Sequence, residues 1–238
     1  MPFVLLPVLA AMRQVYTLPR TPARFQAYLR LLHGATRTDL LVPVQHFNPL
    51  AKEALVARLD ELLALAAEPV VAEALGPLNA GAPAGEPLVQ VALNLADDAH
   101  GGWTNRYTTD FANKFALGAP LERGFCTPLM WSSEAFSPAL IEHRTQAQAW
   151  RCRYRLAHPA PRTLAEHVAQ EVYVARQLAP PAAAAEPATL GAYERHQAAT
   201  DQATLLAFFY GDEAARQLGL RPLGGLGPGA GFRLAQAL

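Results

Sequence analysis

Serine is close to absent from this chain. Its 238 residues include only Ser132, Ser133 and Ser137, and lysine is rarer still, with Lys52 and Lys114 against eighteen arginines. Cysteine occurs twice, at Cys126 and Cys152, without a CxxC pair. That excludes a disulfide framework and a cysteine-based zinc site, and leaves room for one bridge at most. There is no surplus of charge: 20 basic residues balance 20 acidic ones. A nucleic-acid binder usually carries a basic excess or stripe, so no nucleic-acid partner is expected. No apolar run approaches the ~20 residues of a membrane-spanning helix. The apolar start, Met1 to Met12, has no positive n-region, so it reads as a buried strand or docked arm and not as a signal peptide. The expectation is a cytoplasmic chain with no membrane partner. Rossmann, Walker A, HExxH, EF-hand and zinc-finger patterns are all missing, as are repeats and heptads.

What is present is a folding composition, 51% hydrophobic and 17% charged, in a length that makes a sizeable core. Helical spacing covers Arg20 to Leu32, with Gly34 as its stop. Asn48-Pro49 signals a helix start, and Leu55, Leu59, Leu62 and Leu63 give a stripe running to about Ala66. Pro69 to Leu75 reads as a short helix, and Gly76 to Gly85 as a loop. Leu88 to Leu95 is the clearest strand, apolar on both faces. Arg106 to Leu117 reads as a helix with Tyr107, Phe111 and Phe115 on one side. Trp150 to Ala157 alternates apolar residues with Arg151, Arg153 and Arg155, the period of a strand. Thr163 and Glu166 form a capping box opening a helix to Leu178. Further helices fit Thr189 to Ala199 and Asp201 to Leu218. The fold expected is α+β, helix-rich, with a small mixed sheet (88–95, 150–157, and 3–9 and 124–131) covered by several helices. It is organised as one domain, 1–238, with an Ala/Pro linker at 179–188 and a glycine-rich tail at 224–238.

The chemistry concentrates between Leu88 and Glu134. The strand stops at Asp97-Asp98-Ala99-His100-Gly101-Gly102, and ligands gather beyond the carboxyl ends of strands. Asp97, Asp98 and His100 are the candidate acid–base groups, against the plainer reading of a polar turn. Asn105, Arg106, Lys114, Trp103 and Glu134 are the candidate substrate contacts, with Arg106 supplying charge near a helix start. A divalent metal is the candidate cofactor, held by Asp98 and His100 with His167 and Glu171, which lie four apart on one helix face. An ordinary i,i+4 surface pair is the alternative for His167 and Glu171. Cys126 is a nucleophile candidate only if a base adjoins it; a core thiol is the commoner role. His46 beside Asn48-Pro49 suits an anion at a helix N-terminus, or simply a turn. Two functions follow. One is an enzyme acting on a small polar, anionic substrate, with metal-assisted hydrolysis its most concrete form. The other is a non-catalytic ligand-binding or assembly protein with a buried polar network, which would include a homo-oligomer.

Overall fold

The computed structural model describes residues 2–34, 39–82, 84–99, 104–178 and 184–238. In chain order its elements are β1 (Phe3–Leu5), α1 (Leu9–Thr17), α2 (Pro22–His33), α3 (Glu53–Ala64), α4 (Ala67–Ala74), α5 (Gly76–Ala80), β2 (Val89–Val91), β3 (Asn94–Ala96), α6 (Arg106–Phe115), α7 (Gly118–Glu122), β4 (Phe125–Cys126), β5 (Leu129–Trp131), α8 (Pro138–Ala157), α9 (Leu164–Leu178), α10 (Pro187–His196), α11 (Gln202–Tyr210), α12 (Asp212–Gln217) and α13 (Ala230–Ala237). This is a helix-rich α+β fold. Two compact units form, one from Met1–Arg106 and Gly118–Ala149, the other from Tyr107–Leu117 and Trp150–Leu238. No described helix is long and apolar enough to cross a membrane.

The first unit is built on parallel strands. β1 pairs with β2, β2 with β4, and β3 with β5. Residues 91–96 and 125–131 are buried throughout, which explains why Leu88 to Leu95 is apolar on both faces. The single strand expected there is two, and the cause lies in its partner. Val91 faces Cys126 and Asn94 faces Leu129, so the register is unchanged across the gap. Pro128 sits in that gap with no N–H to give, and the ladder loses a rung. The ladder resumes when the Asn94 N–H donates to the Pro128 carbonyl at 2.9 Å. The buried Asn94 amide also donates to the carbonyls of Ala92 (3.1 Å) and Pro43 (2.8 Å).

Helices cover this sheet. Leu55, Leu59 and Leu62 are the buried stripe of α3. That helix begins at Glu53, not at Pro49, because the Asn48 side chain accepts the Leu50 N–H (2.9 Å) in a local turn instead of capping a helix. The loop expected at 76–85 opens with α5, whose Asn79 reaches the margin of β1. Its Oδ1 accepts the Phe3 N–H (3.0 Å) and its Nδ2 donates to the Phe3 carbonyl (2.8 Å). Glu68 in α4 accepts the N–H groups of Val8 and Leu9 (2.6 and 2.9 Å), placing a carboxylate at the start of α1.

The second unit is helical. Its core gathers Phe111, Phe115, Leu164, Val168, Leu205, Phe208, Phe209 and Leu234. Residues 150–157 are not a strand; they are the end of α8. The alternation of arginines misleads because it is short. Over the whole helix the buried residues Ile141, Thr145, Gln148 and Cys152 fall three or four apart, and Ala, Gln, Glu and Arg all favour the helix. Cys126 and Cys152 are buried thiols and are not joined in a disulfide.

The capping box is present. The Glu166 N–H donates to Thr163 Oγ1 (3.2 Å), and the Thr163 N–H donates to Glu166 Oε2 (3.0 Å). Thr163→Ala should cost about 1 kcal/mol, read as a shift in the urea midpoint. An unchanged midpoint would show that the box contributes nothing.

The helix expected from Asp201 to Leu218 breaks at Gly211, whose φ of 90° belongs to glycine. The stretch from Gly224 also departs from the tail that its glycines suggest. Asp212 accepts the N–H groups of Leu223 (3.0 Å), Gly224 (3.2 Å) and Leu226 (3.2 Å), and α13 follows. Gly231 lies against Phe208 and Phe209 so closely that a Cβ there would come within 2.9 Å of both rings. Glycine in this segment serves close packing as well as turns.

Candidate functional site

In the first unit, β3 and β5 end side by side, and each delivers polar residues as it leaves the sheet. β3 delivers Asp97 and Asp98, and β5 delivers Ser132, Ser133 and Glu134. Ser132 Oγ donates to Asp97 Oδ1 at 2.9 Å and lies 3.2 Å from Asp98 Oδ1. The Ser133 N–H donates to Asp98 Oδ1 (3.0 Å), and Ser133 Oγ donates to Asp98 Oδ2 (2.7 Å). Two of the chain's three serines therefore pin one carboxylate.

Arg106, at the start of α6, completes the cluster. Its Nη1 donates to Asp98 Oδ2 (2.8 Å) and to Ser133 Oγ (3.0 Å), and its Nη2 to Glu134 Oε1 (2.5 Å). The guanidinium also sits 5.4 Å from the Trp131 ring centre. Glu134 Oε1 is shared with Arg144 Nη2 (2.5 Å), and Arg144 Nη1 donates to the Leu129 carbonyl (2.8 Å). Among the described residues, Glu134 Oε2 is buried without a hydrogen-bond partner. Arg58 donates to the Glu134 carbonyl and lies over the Phe136 ring, 3.9 Å from its centre.

Exposure is uneven. Asp98 and Glu134 side chains are 5% and 16% exposed, whereas Arg106 is 40% exposed. The carboxylates lie behind and the guanidinium is open in front. Burial pushes the Asp98 pKa up, but the Ser133 hydrogen bonds and the Arg106 charge outweigh it. The net value lies below the ordinary carboxylate range. Arg106 is desolvated by its own burial, yet Glu134 and Asp98 hold its pKa above the usual arginine value.

Of the residues expected to form one site, Asp97, Asp98, Arg106 and Glu134 come together here, and Asn105 is the exposed neighbour of Arg106. His100 and Trp103 lie outside the described residues. Lys114, His167 and Glu171 belong to the second unit. Arg144 and Arg58 went unrecognised in the sequence, since an arginine on a helix gives no sign of which distant carboxylate it will meet.

A second charged cluster lies inside that second unit. Arg151 donates from Nε and Nη2 to the two oxygens of Glu171 (2.8 and 2.6 Å), with both side chains under a tenth exposed. Arg151, whose alternation with apolar residues reads as a strand, is therefore half of a buried pair on a helix. Lys114 Nζ donates to Asp110 Oδ2, and Tyr210 Oη donates to the same oxygen at 2.6 Å. The Lys114–Asp110 pair is mostly enclosed and not the solvated helix pair that its i,i+4 spacing suggests. Gln170 Nε2 bridges the Lys114 carbonyl and Glu171 Oε1, at 3.3 Å each.

His167 is not on a charged surface. Its ring packs against Phe115, Phe111 and Phe209, at 4.8, 6.2 and 6.5 Å between ring centres. Among the described residues, no three of His, Cys, Asp and Glu gather in a way that could hold a metal ion. The donors themselves explain this: Glu171 spends both oxygens on Arg151, and Asp98 is filled by Ser132, Ser133 and Arg106. Cys126, at 1% exposure, is a core thiol. The helix start that would have made His46 an anion site begins seven residues further on, and burial lowers the His46 pKa to about 4.

Burial also lowers the His167 pKa from 6.5 to about 4. In the unfolded chain this imidazole takes up its proton near pH 6.5, but in the folded chain only near pH 4. Between those values the unfolded state binds more protons, so stability present above pH 6.5 is lost as pH falls towards 4. The loss from His167 should approach roughly 3 kcal/mol. Urea unfolding of wild type and His167→Leu at pH 7 and pH 4.5 checks it. The variant should lose distinctly less stability on acidification, and an equal loss would contradict the assignment. Asp98 acts in a separate window: its contribution disappears only as pH falls below the ordinary carboxylate range.

No protein-family model matches the sequence, and no curated protein or solved structure matches it either.

Proposed function

We propose that the strand-end cluster of the first unit binds a small polar molecule carrying a carboxylate or phosphate group, and that the chain is an enzyme acting on it. One observation carries this reading: Arg106 is clamped from behind by Asp98 and Glu134, rests near Trp131, and stays 40% exposed beside the exposed Ser133 hydroxyl. A guanidinium held in one orientation loses little freedom on meeting an anion, and its planar fork suits both oxyanion types. The place is the carboxyl end of parallel strands, where helix-flanked sheets collect ligands.

The roles within this reading differ from the simplest acid–base scheme. A carboxyl held below its usual range is a weak base, and Asp98 already accepts from Ser132, Ser133 and Arg106. Asp97 and Asp98 therefore position the cluster, Arg106 and Asn105 hold substrate, and proton transfer falls to His100. The competing reading, a binding or assembly protein without catalysis, draws on the same saturation of Asp98.

Titration with inorganic phosphate and with citrate, followed by calorimetry and tryptophan fluorescence, tests the proposal. Saturable binding should weaken by about tenfold or more in Arg106→Gln and less in Ser133→Ala. Circular dichroism checks that each variant is folded. Absence of saturable binding, or equal affinity in folded Arg106→Gln, would overturn the anion site. Turnover of a bound substrate that disappears in His100→Gln separates the enzyme from the binding protein.

A further inference from the structure

We propose that the groove lined by α9 and α10 in the second unit binds a flat aromatic carboxylate, with the ring against tyrosine and the carboxylate on Arg176. The cavity measures about 560 Å³, within the range of small-molecule sites. Val168 and Val172 of α9 give it an apolar lining, and Ala169 beside them is exposed and too small to fill the space. Tyr173 of α9 and Tyr193 of α10 add two half-buried rings. Leu238, which follows α13, lines the same groove.

Both rings are held by neighbours. Tyr173 packs against Trp150 and Tyr154 of α8, at 6.0 and 5.3 Å between ring centres. Tyr193 packs against Phe208 of α11 at 6.2 Å. A ring fixed from behind loses little freedom when a ligand meets its open side, so the groove is prepared for its occupant. An aromatic ligand gains from such rings beyond the area it buries, and an aliphatic one does not.

Arg176 sets the charge of the ligand. Among the described residues that line the groove, no Asp or Glu joins it. The side chain already meets an oxygen there, since Nη2 donates to the Leu238 carbonyl at 2.9 Å. A guanidinium carries several N–H groups, and those not given to Leu238 remain for a carboxylate. Arg176 is exposed, unlike Arg151, which is sealed against Glu171. The groove shares no residue with the strand-end cluster around Arg106, and it asks for a different ligand: a carboxylate joined to an apolar ring.

Titration of the full-length chain with naphthoate, read by calorimetry, tests this. Saturable binding is expected, and naphthamide, which has the same rings without the charge, should bind about tenfold more weakly. Arg176→Gln should weaken naphthoate binding about tenfold. Ala169→Trp, which fills the groove from an exposed position, should abolish it. Absence of saturable binding, equal affinity for naphthoate and naphthamide, or unchanged affinity in folded Arg176→Gln or Ala169→Trp overturns the proposal. The naphthamide comparison uses the wild type alone, so it stands even if a variant fails to fold. Binding lost in folded Arg106→Gln but kept in Arg176→Gln would assign naphthoate to the strand-end cluster and overturn the groove. A concentration-dependent dimer that takes up no naphthoate would mean that a second copy covers the groove, and would also overturn it.

Discussion

Replacing Glu171 by leucine is expected to destabilise the chain by about 3–5 kcal/mol, because it leaves the Arg151 cation buried without its counter-charge. The pair itself is not expected to contribute that much. Desolvating both ions offsets most of their attraction, and two well-packed apolar side chains often do as well. The double variant Arg151→Leu/Glu171→Leu should therefore recover most of the loss. Urea unfolding of the wild type, both single variants and the double variant closes the cycle. If the double variant is as unstable as Glu171→Leu, the two residues do not act mainly on each other. The wider cluster would then be the unit of stability, since Gln170 also donates to Glu171 and Arg151 lies in the field of Asp110.

Gly211→Ala is expected to cost on the order of 3 kcal/mol. Two independent obstacles meet at this residue. Its backbone, at φ 90° and ψ 173°, lies where only glycine is comfortable. A Cβ there would also come within 2.3 Å of the Gly227 carbonyl oxygen, which is backbone and cannot swing aside. A loss below about 1 kcal/mol in denaturant unfolding would mean that the turn between α11 and α12 relaxes easily. A large loss would fix Gly211 as the point where α11 is made to stop and the 223–229 segment is made to pack.

Local features of the sequence carried into the structure, and distant ones did not. Thr163 and Glu166 announce their helix because both partners of the capping box lie within one turn. Leu55, Leu59 and Leu62 announce theirs by spacing alone. The strand at 88–95 was legible as apolar sequence, but its interruption was not, because the cause is Pro128 on a neighbouring strand. The arginines of 151–155 alternate like a strand because three residues are too few to tell a period of two from the rest of a helix. At the candidate site, Asp97 and Asp98 could be found from the end of an apolar run. Arg106 and Glu134 could be named with them. That Ser133 would pin Asp98, and that Arg144 would share Glu134 with Arg106, could not, since it depends on β3 and β5 ending together. The buried cluster around Asp110 and Glu171 was hidden for the same reason: i,i+4 charges look alike whether a helix faces water or its neighbours.

The amide of Asn79 has a consequence beyond the fold of one molecule. A strand at the margin of a sheet exposes a donor and an acceptor in the spacing that another chain's strand can read, and such margins seed edge-to-edge aggregation. At Phe3 both groups are already taken, by a side chain that copies the donor–acceptor pattern of a peptide bond without continuing into a strand. Asn79 thus works as a terminator. It satisfies the margin at β1 and offers the next molecule nothing to extend, so the sheet of the first unit cannot recruit a copy of itself along Phe3.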